Sequence, residues 1–282
     1  MQELATLNPL DDRAFKILLS DDDQFIALSE AFLEEKLDQD KIININGEIV
    51  LSVKGRLIRL DALRDTNVGY INIEGQMDAM DFPFKRHVFH GAYVCINGIQ
   101  ESDSWDNLKP TISIVVYKDK GGNAVIETAA LAGNLIKSDD DKKQLQLVAV
   151  NSKQWRSVES KELRIYLSTL HNGILTEENK DSFIGVNIGT VAFKKFQRSV
   201  RVACALTKQQ EYKEKGDDFM AIQYATFLSE EERVAEKAKG MTIAREIYKL
   251  LIKDVPLNEI ASMYQLSIEE VEEFKDDLLQ RA

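Results

Sequence analysis

Cysteine, histidine and proline are scarce in this chain, with two, three and four of each in 282 residues. Cys95 and Cys204 sit inside apolar runs, and neither belongs to a C-x-x-C pair. Thiolate metal spacing is therefore absent, and both thiols are expected to be buried and reduced. Excess positive charge is missing too: 36 basic against 47 acidic residues leave a formal charge of −11. That excludes a protein that coats nucleic acid through bulk charge. It leaves room for a local site where a divalent ion screens carboxylates from phosphate. No apolar run approaches the roughly 18 residues needed to span a bilayer. The opening MQELATLNPLDD lacks a basic region followed by an apolar one, so no signal peptide is expected. A cytoplasmic location is the expectation, with no membrane partner.

What is present is ordinary for a globular chain. Hydrophobic residues make up 44% and charged residues 29%, enough for a sizeable core in one or two domains. Asn8-Pro9-Leu10-Asp11-Asp12 is a turn leading into a helix carrying Phe15, Ile17, Leu18 and Leu19. Residues 20–23 interrupt it, and a second helical pattern follows through Phe25, Leu28 and Phe32. From Ile42 the period changes. IININ, EIVLSV, LIRLDAL and YINIEGQM predict consecutive antiparallel strands with short breaks between them. Residues 82–96 predict a helix with Pro83 in its first turn. Strands are expected at 111–117 and 144–150, and mainly helices from Lys153 onward. This order predicts an α/β or α+β fold. The polar run at 138–143 lacks the remaining ligands of a calcium loop. Gly240 is a plausible helix boundary, and Ser267 with Glu270 has the form of a capping box.

One hairpin stands out. If Thr66-Asn67-Val68-Gly69 is its turn, residues whose numbers sum to 135 stand opposite one another. Asp61 then faces Glu74, and Arg59 faces Gln76. Glu74 and Gln76 share one face by strand alternation, and this register adds Asp61. Opposite residues have Cβ atoms about 4.5–5.5 Å apart, so two carboxylates there repel. A hard cation such as Mg²⁺ would relieve the conflict. Pairing of one carboxylate with Arg59 or Arg64 would also do so.

These residues resemble a known pattern. Asp61 followed by Glu74-x-Gln76 is similar to the D…(D/E)-x-K signature of the PD-(D/E)XK nuclease superfamily, with Gln for Lys. NPLDDRAFKILL resembles the P-x-x-D-x-x-F-K opening of the Rpn family, the recombination-promoting nucleases and transposases. NIEGQ with Arg86 beyond it resembles that family's I-E-x-Q strand and following helix. GIQESDSWDNLKPTISIVV resembles its G-x-x-Y-x-x-L-K-P segment, with Trp105 for Tyr. His90 stands where the family often has Tyr. The ordered set covers about the first 120 residues.

The resemblance implies a restriction-endonuclease-like α/β core (helix, mixed β-sheet, helix) over 1–205, with a helical C-terminal region at 206–282. It implies a Mg²⁺-dependent DNA endonuclease hydrolysing phosphodiester bonds, with Asp12, Asp61, Glu74 and Gln76 as site residues. Asp61 and Glu74 would hold the metal. Gln76 could orient the attacking water, but it is no base. Arg86 and Lys109 are candidates for the DNA phosphate; a surface ion pair and a strand-start lysine are the plainer roles. Asp12 fits equally an acidic N-cap. Lys194, Lys195, Arg198 and Arg201 form a positive strip at helical spacing, read also as a solvated face. The 256–275 segment resembles a helix-turn-helix whose second helix is too acidic for a major groove, which favours packing or homo-oligomer contacts. The alternatives are a nuclease-fold protein that binds DNA or a partner without cutting, and an interaction protein acting through the acidic 206–282 helices.

Overall fold

A computed structural model describes residues 7–45, 51–53, 56–58, 60–77, 83–97, 109–119, 121–131, 145–253, 255–264, 266–269, 271–272 and 274–275. Arg59, Trp105, the polar run at 138–143 and Glu270 lie outside them.

The chain opens with α1 (Asp12–Ser20) and α2 (Asp22–Leu33). Asp11 caps α1 by accepting from the Arg13 N–H at 3.2 Å, and Asp21 caps α2 by accepting from the Asp23 N–H at 2.9 Å. Asp12 is therefore the first residue inside α1 and not its cap. Ala14, Phe15, Leu18 and Leu19 form the buried stripe of α1, at the spacing a helix needs.

The strands are β1 (Ile43–Asn44), β2 (Leu51–Val53), β3 (Arg56–Ile58), β4 (Ala62–Thr66) and β5 (Gly69–Gln76). Next come α3 (Pro83–Asn97), β6 (Thr111–Tyr117), β7 (Ile126–Leu131) and β8 (Leu145–Asn151). Six of them form a mixed sheet in the order β1-β4-β5-β6-β8-β7. β5, β6 and β8 run parallel, while the β1/β4, β4/β5 and β7/β8 pairs are antiparallel. β2 and β3 pair separately. The architecture is α/β.

The hairpin register agrees with the turn: Ala62 pairs with Ile73 and Thr66 with Gly69. LIRLDALRD is not one strand, however. β3 ends at Ile58 and β4 starts at Ala62, so Asp61 lies in the bend between them. β7 was not legible as a strand: AVIETAAL has weak β-propensity, and it forms an exposed edge on β8.

α1 lies against β4 and β5, with α2 and α5 (Val191–Glu214) packed on it. α3 crosses over β5, β6 and β8. Its contacts lie on the strand face of Asn72, Glu74 and Ser113. That face is therefore covered and not merely wet. On the other face Ile71 and Ile73 are fully buried. Gly75 belongs there for a steric reason: a Cβ would sit 2.7 Å from Phe15 Cδ1 of α1. The space beside Gly75 thus receives the Phe15 ring.

Beyond β8, α4 (Lys161–Asn172) packs on α2 and α5. Ser160 caps α4, and Gly173 closes it with φ of +83°. α6 (Asp218–Ile252) runs unbroken through Gly240, and α5 runs through residue 206. The chain divides into compact units 1–224 and 225–282, so the boundary falls later than 205/206. Within 225–282, Ile247 on α6 packs with Ile260 and Ala261 of α7 (Leu257–Tyr264) and with Val271. Cys204 is buried and Cys95 half-buried, and neither is in a disulfide. Among the described residues no helix is long and apolar enough to cross a membrane.

Candidate functional site

The β4/β5 hairpin and the two helices against its faces assemble the site. β4 begins at Ala62, two residues past the position, 60, that would stand opposite Gly75. The Asp61 carboxylate supplies the missing acceptor, its Oδ2 taking that N–H at 2.9 Å. Asp61 is thus fixed at the open end of the hairpin, beside the residue that follows Glu74. From α1, the Lys16 ammonium lies 3.6 Å from Asp61 Oδ1 and 3.3 Å from Asp12 Oδ2. Asp12 itself is largely exposed and joins the group through Lys16. The Asp12 to Lys16 spacing is the i, i+4 acid-to-base order that suits a helix.

Glu74 sits beneath α3, only 6% exposed. Its Oε1 accepts from Asn72 Nδ2 at 2.9 Å and from His90 Nδ1 at 2.5 Å. His87, one turn earlier, donates its Nε2–H to the Ser113 carbonyl at 2.7 Å. His87 thus spends its Nε2–H on the backbone of β6. His90 instead orients a candidate ligand.

The two carboxylates respond oppositely to burial. Burial raises the Asp61 pKa to about 7, and the Glu74 charge adds to the shift; the Gly75 N–H and Lys16 offset part of it. Burial alone would raise Glu74 as well, but the His90 hydrogen bond and charge, then Asn72 and Arg86, bring it below the usual carboxylate range. Glu74 is held ionised, while Asp61 hovers between its two states at neutral pH. Proximity of the Glu74 charge is one of the causes that raise Asp61, and the Lys16 ammonium offsets part of it.

Gln76 continues the face of Glu74, half-buried, at the last rung with Tyr117. Arg86 is exposed on α3, and its charge reaches Glu74 and Tyr117. Lys109 is elsewhere. It pairs with Asp65 at 2.5 Å and lies over the Tyr70 ring. Tyr70 is four residues before Glu74, about 13 Å along a strand. Lys109 thus joins the far end of the hairpin and not the site. Arg64 is not a partner of either carboxylate; it is buried on Asp22, the Leu19 carbonyl and the face of Phe25. In the basic strip, Lys195 pairs with Asp23 at 3.2 Å.

The donor set suits a hard cation. Asp61 and Glu74 offer carboxylate oxygens only, the chemistry of Mg²⁺. The buried Asn72 Oδ1, beside Glu74, has no protein partner. Among the described residues, no three or more His, Cys, Asp or Glu side chains group as a metal cage. A hard ion here would complete its sphere with waters and a phosphate oxygen. A cleft of about 200 Å³ opens at Asp61, bounded by Lys16, Ser20, Asn44 and Leu60.

Sequence reasoning missed two residues. Lys16 was visible inside DRAFKILL but received no role. His90 received no site role either, because nothing in sequence brings α3 onto the polar face of β5. Scans of the chain against protein-family models, curated proteins and solved structures found no match.

Proposed function

We propose that this protein is a metal-dependent DNA endonuclease whose site is the open end of the β4/β5 hairpin. One observation carries the reading: Asp61, fixed in the bend before β4 by the Gly75 N–H, is buried near enough to Glu74 of β5 to feel its charge, and burial first and that charge next raise its pKa to about 7 while the Glu74 pKa is lowered. Such a pair asks for a cation. The α/β order α1, hairpin, α3, β6 is compatible with the helix, mixed sheet and helix that the sequence resemblance implies.

A Mg²⁺ ion bound there would polarise a phosphodiester and lower the pKa of a bound water. Asp61 and Glu74 hold the ion by this reading. His90 and Asn72 fix the Glu74 carboxylate by bonding its Oε1. Gln76, one step out on the same face, orients the attacking water through its amide. It takes no proton, which passes instead to solvent or to a phosphate oxygen. Arg86 contacts phosphate from the α3 side. Asp12 acts at one remove, by holding Lys16. Lys109 has no part in the reaction.

Supercoiled plasmid incubated with the protein should be nicked or linearised with Mg²⁺ or Mn²⁺ and left intact with EDTA. A second reading draws on Glu74 Oε1 being engaged already by two hydrogen bonds: a nuclease-fold protein that binds DNA or a protein partner without cutting. Plasmid that is bound and shifted, yet intact at every metal concentration, favours that reading and overturns the first.

A further inference from the structure

We infer that Lys16 is a phosphate-binding residue of this site, standing as counter-ion to Asp61 until a divalent metal takes that carboxylate. This rests on the endonuclease reading and names a residue it did not assign.

The site needs a positive group aimed at substrate, and β5 supplies none. The residue two beyond Glu74 is the neutral Gln76. Lys109 is held by Asp65 at the far end of the hairpin, and Arg64 is buried against Asp22. Arg86 approaches from α3. Lys16 comes from the opposite side, on α1, and borders the cleft that opens at Asp61. Its side chain is 24% exposed, and it lines that cleft together with Asp61.

Its present contacts are loose. At 3.6 Å the ammonium is beyond hydrogen-bond reach of Asp61, and it shares itself with Asp12 at 3.3 Å. A cation shared between two carboxylates can be released by either. A divalent ion on Asp61 would repel the ammonium and outcompete it for the same oxygen. The four-carbon stem then lets the head swing toward the nearest new negative charge, the phosphate that arrives with the DNA. Lys16 and the metal therefore compete before substrate binds and cooperate after it.

That sequence gives opposite signs for one substitution. Lys16→Met removes a positive charge beside the carboxylates. Mg²⁺ or Mn²⁺ affinity, measured by calorimetric titration without DNA, should rise roughly three- to tenfold. Plasmid cleavage at saturating metal should fall on the order of a hundredfold. Lys16→Arg should keep wild-type metal affinity and cleave within about tenfold of wild type, a loss small beside that of removing the charge outright. Circular dichroism checks that each variant is folded. If Lys16→Met misfolds, Lys16→Gln carries the same test. A plain structural ion pair would lower metal affinity and cleavage together. Wild type that binds metal and cleaves, beside a Lys16→Met that cleaves equally or binds metal no tighter, overturns the role of Lys16 alone. Wild type that takes up no metal overturns the endonuclease reading, and this inference falls with it.

Discussion

Asp61 is where local geometry and charge collide. Its carboxylate replaces a missing strand partner for Gly75 and is buried beside an ionised Glu74. The cost has a definite sign with pH. The Asp61 pKa in the folded chain is about 7, against about 3.9 in an unfolded chain. Between those values the folded state binds more protons than the unfolded one. Stability from this group is therefore complete at low pH and is lost as pH rises toward 7. His87, whose pKa burial lowers, acts in the opposite direction, but it is common to wild type and variant. In EDTA, Asp61→Asn should gain stability relative to wild type between pH 5 and pH 8, read as the difference in urea midpoints. A difference that stays flat across that range contradicts the assignment. The hairpin register was legible here because the turn fixes the sum of paired numbers. The bend at Asp61 was not, because LIRLDAL has no glycine or proline to mark it.

Helix α3 explains most of what the strands alone could not. Alternation in YINIEGQ marked one polar face, and period alone says nothing about what covers it. α3 covers it with two histidines, which lets Asn72 and Glu74 be buried without leaving the carboxylate unpartnered. Orienting partners of this kind tune metal ligands. His90→Ala should weaken Mg²⁺ binding roughly 10- to 100-fold, while His90→Gln, which keeps a donor, should recover part of it. Calorimetric titration checks both; unchanged affinity in His90→Ala would show that α3 only packs. The same logic explains the misread edge of the sheet. β7 is exposed and pairs on one side only, so its sequence need not look like a strand. Gly240 likewise marked no boundary, since a helix tolerates one glycine for about 1 kcal/mol.

Across the chain, charge and domain organisation point to a local site on an acidic protein. With a net charge of −11, the DNA binding proposed above would have to come from a few cations near the hairpin and from a bound metal. All the candidate residues lie within 1–224, and the cluster around Ile247, Ile260 and Val271 gives 225–282 a core of its own. A chain ending at residue 224 should therefore fold and keep metal-dependent cleavage, read by circular dichroism and plasmid nicking. Loss of cleavage in a folded 1–224 chain would assign the C-terminal unit a direct part in the reaction. The central claim is the carboxylate pair itself. Plasmid cleavage in Mg²⁺ should be abolished in Asp61→Asn and in Glu74→Gln, each with a wild-type circular dichroism spectrum. Cleavage by either folded variant at the wild-type rate would contradict it.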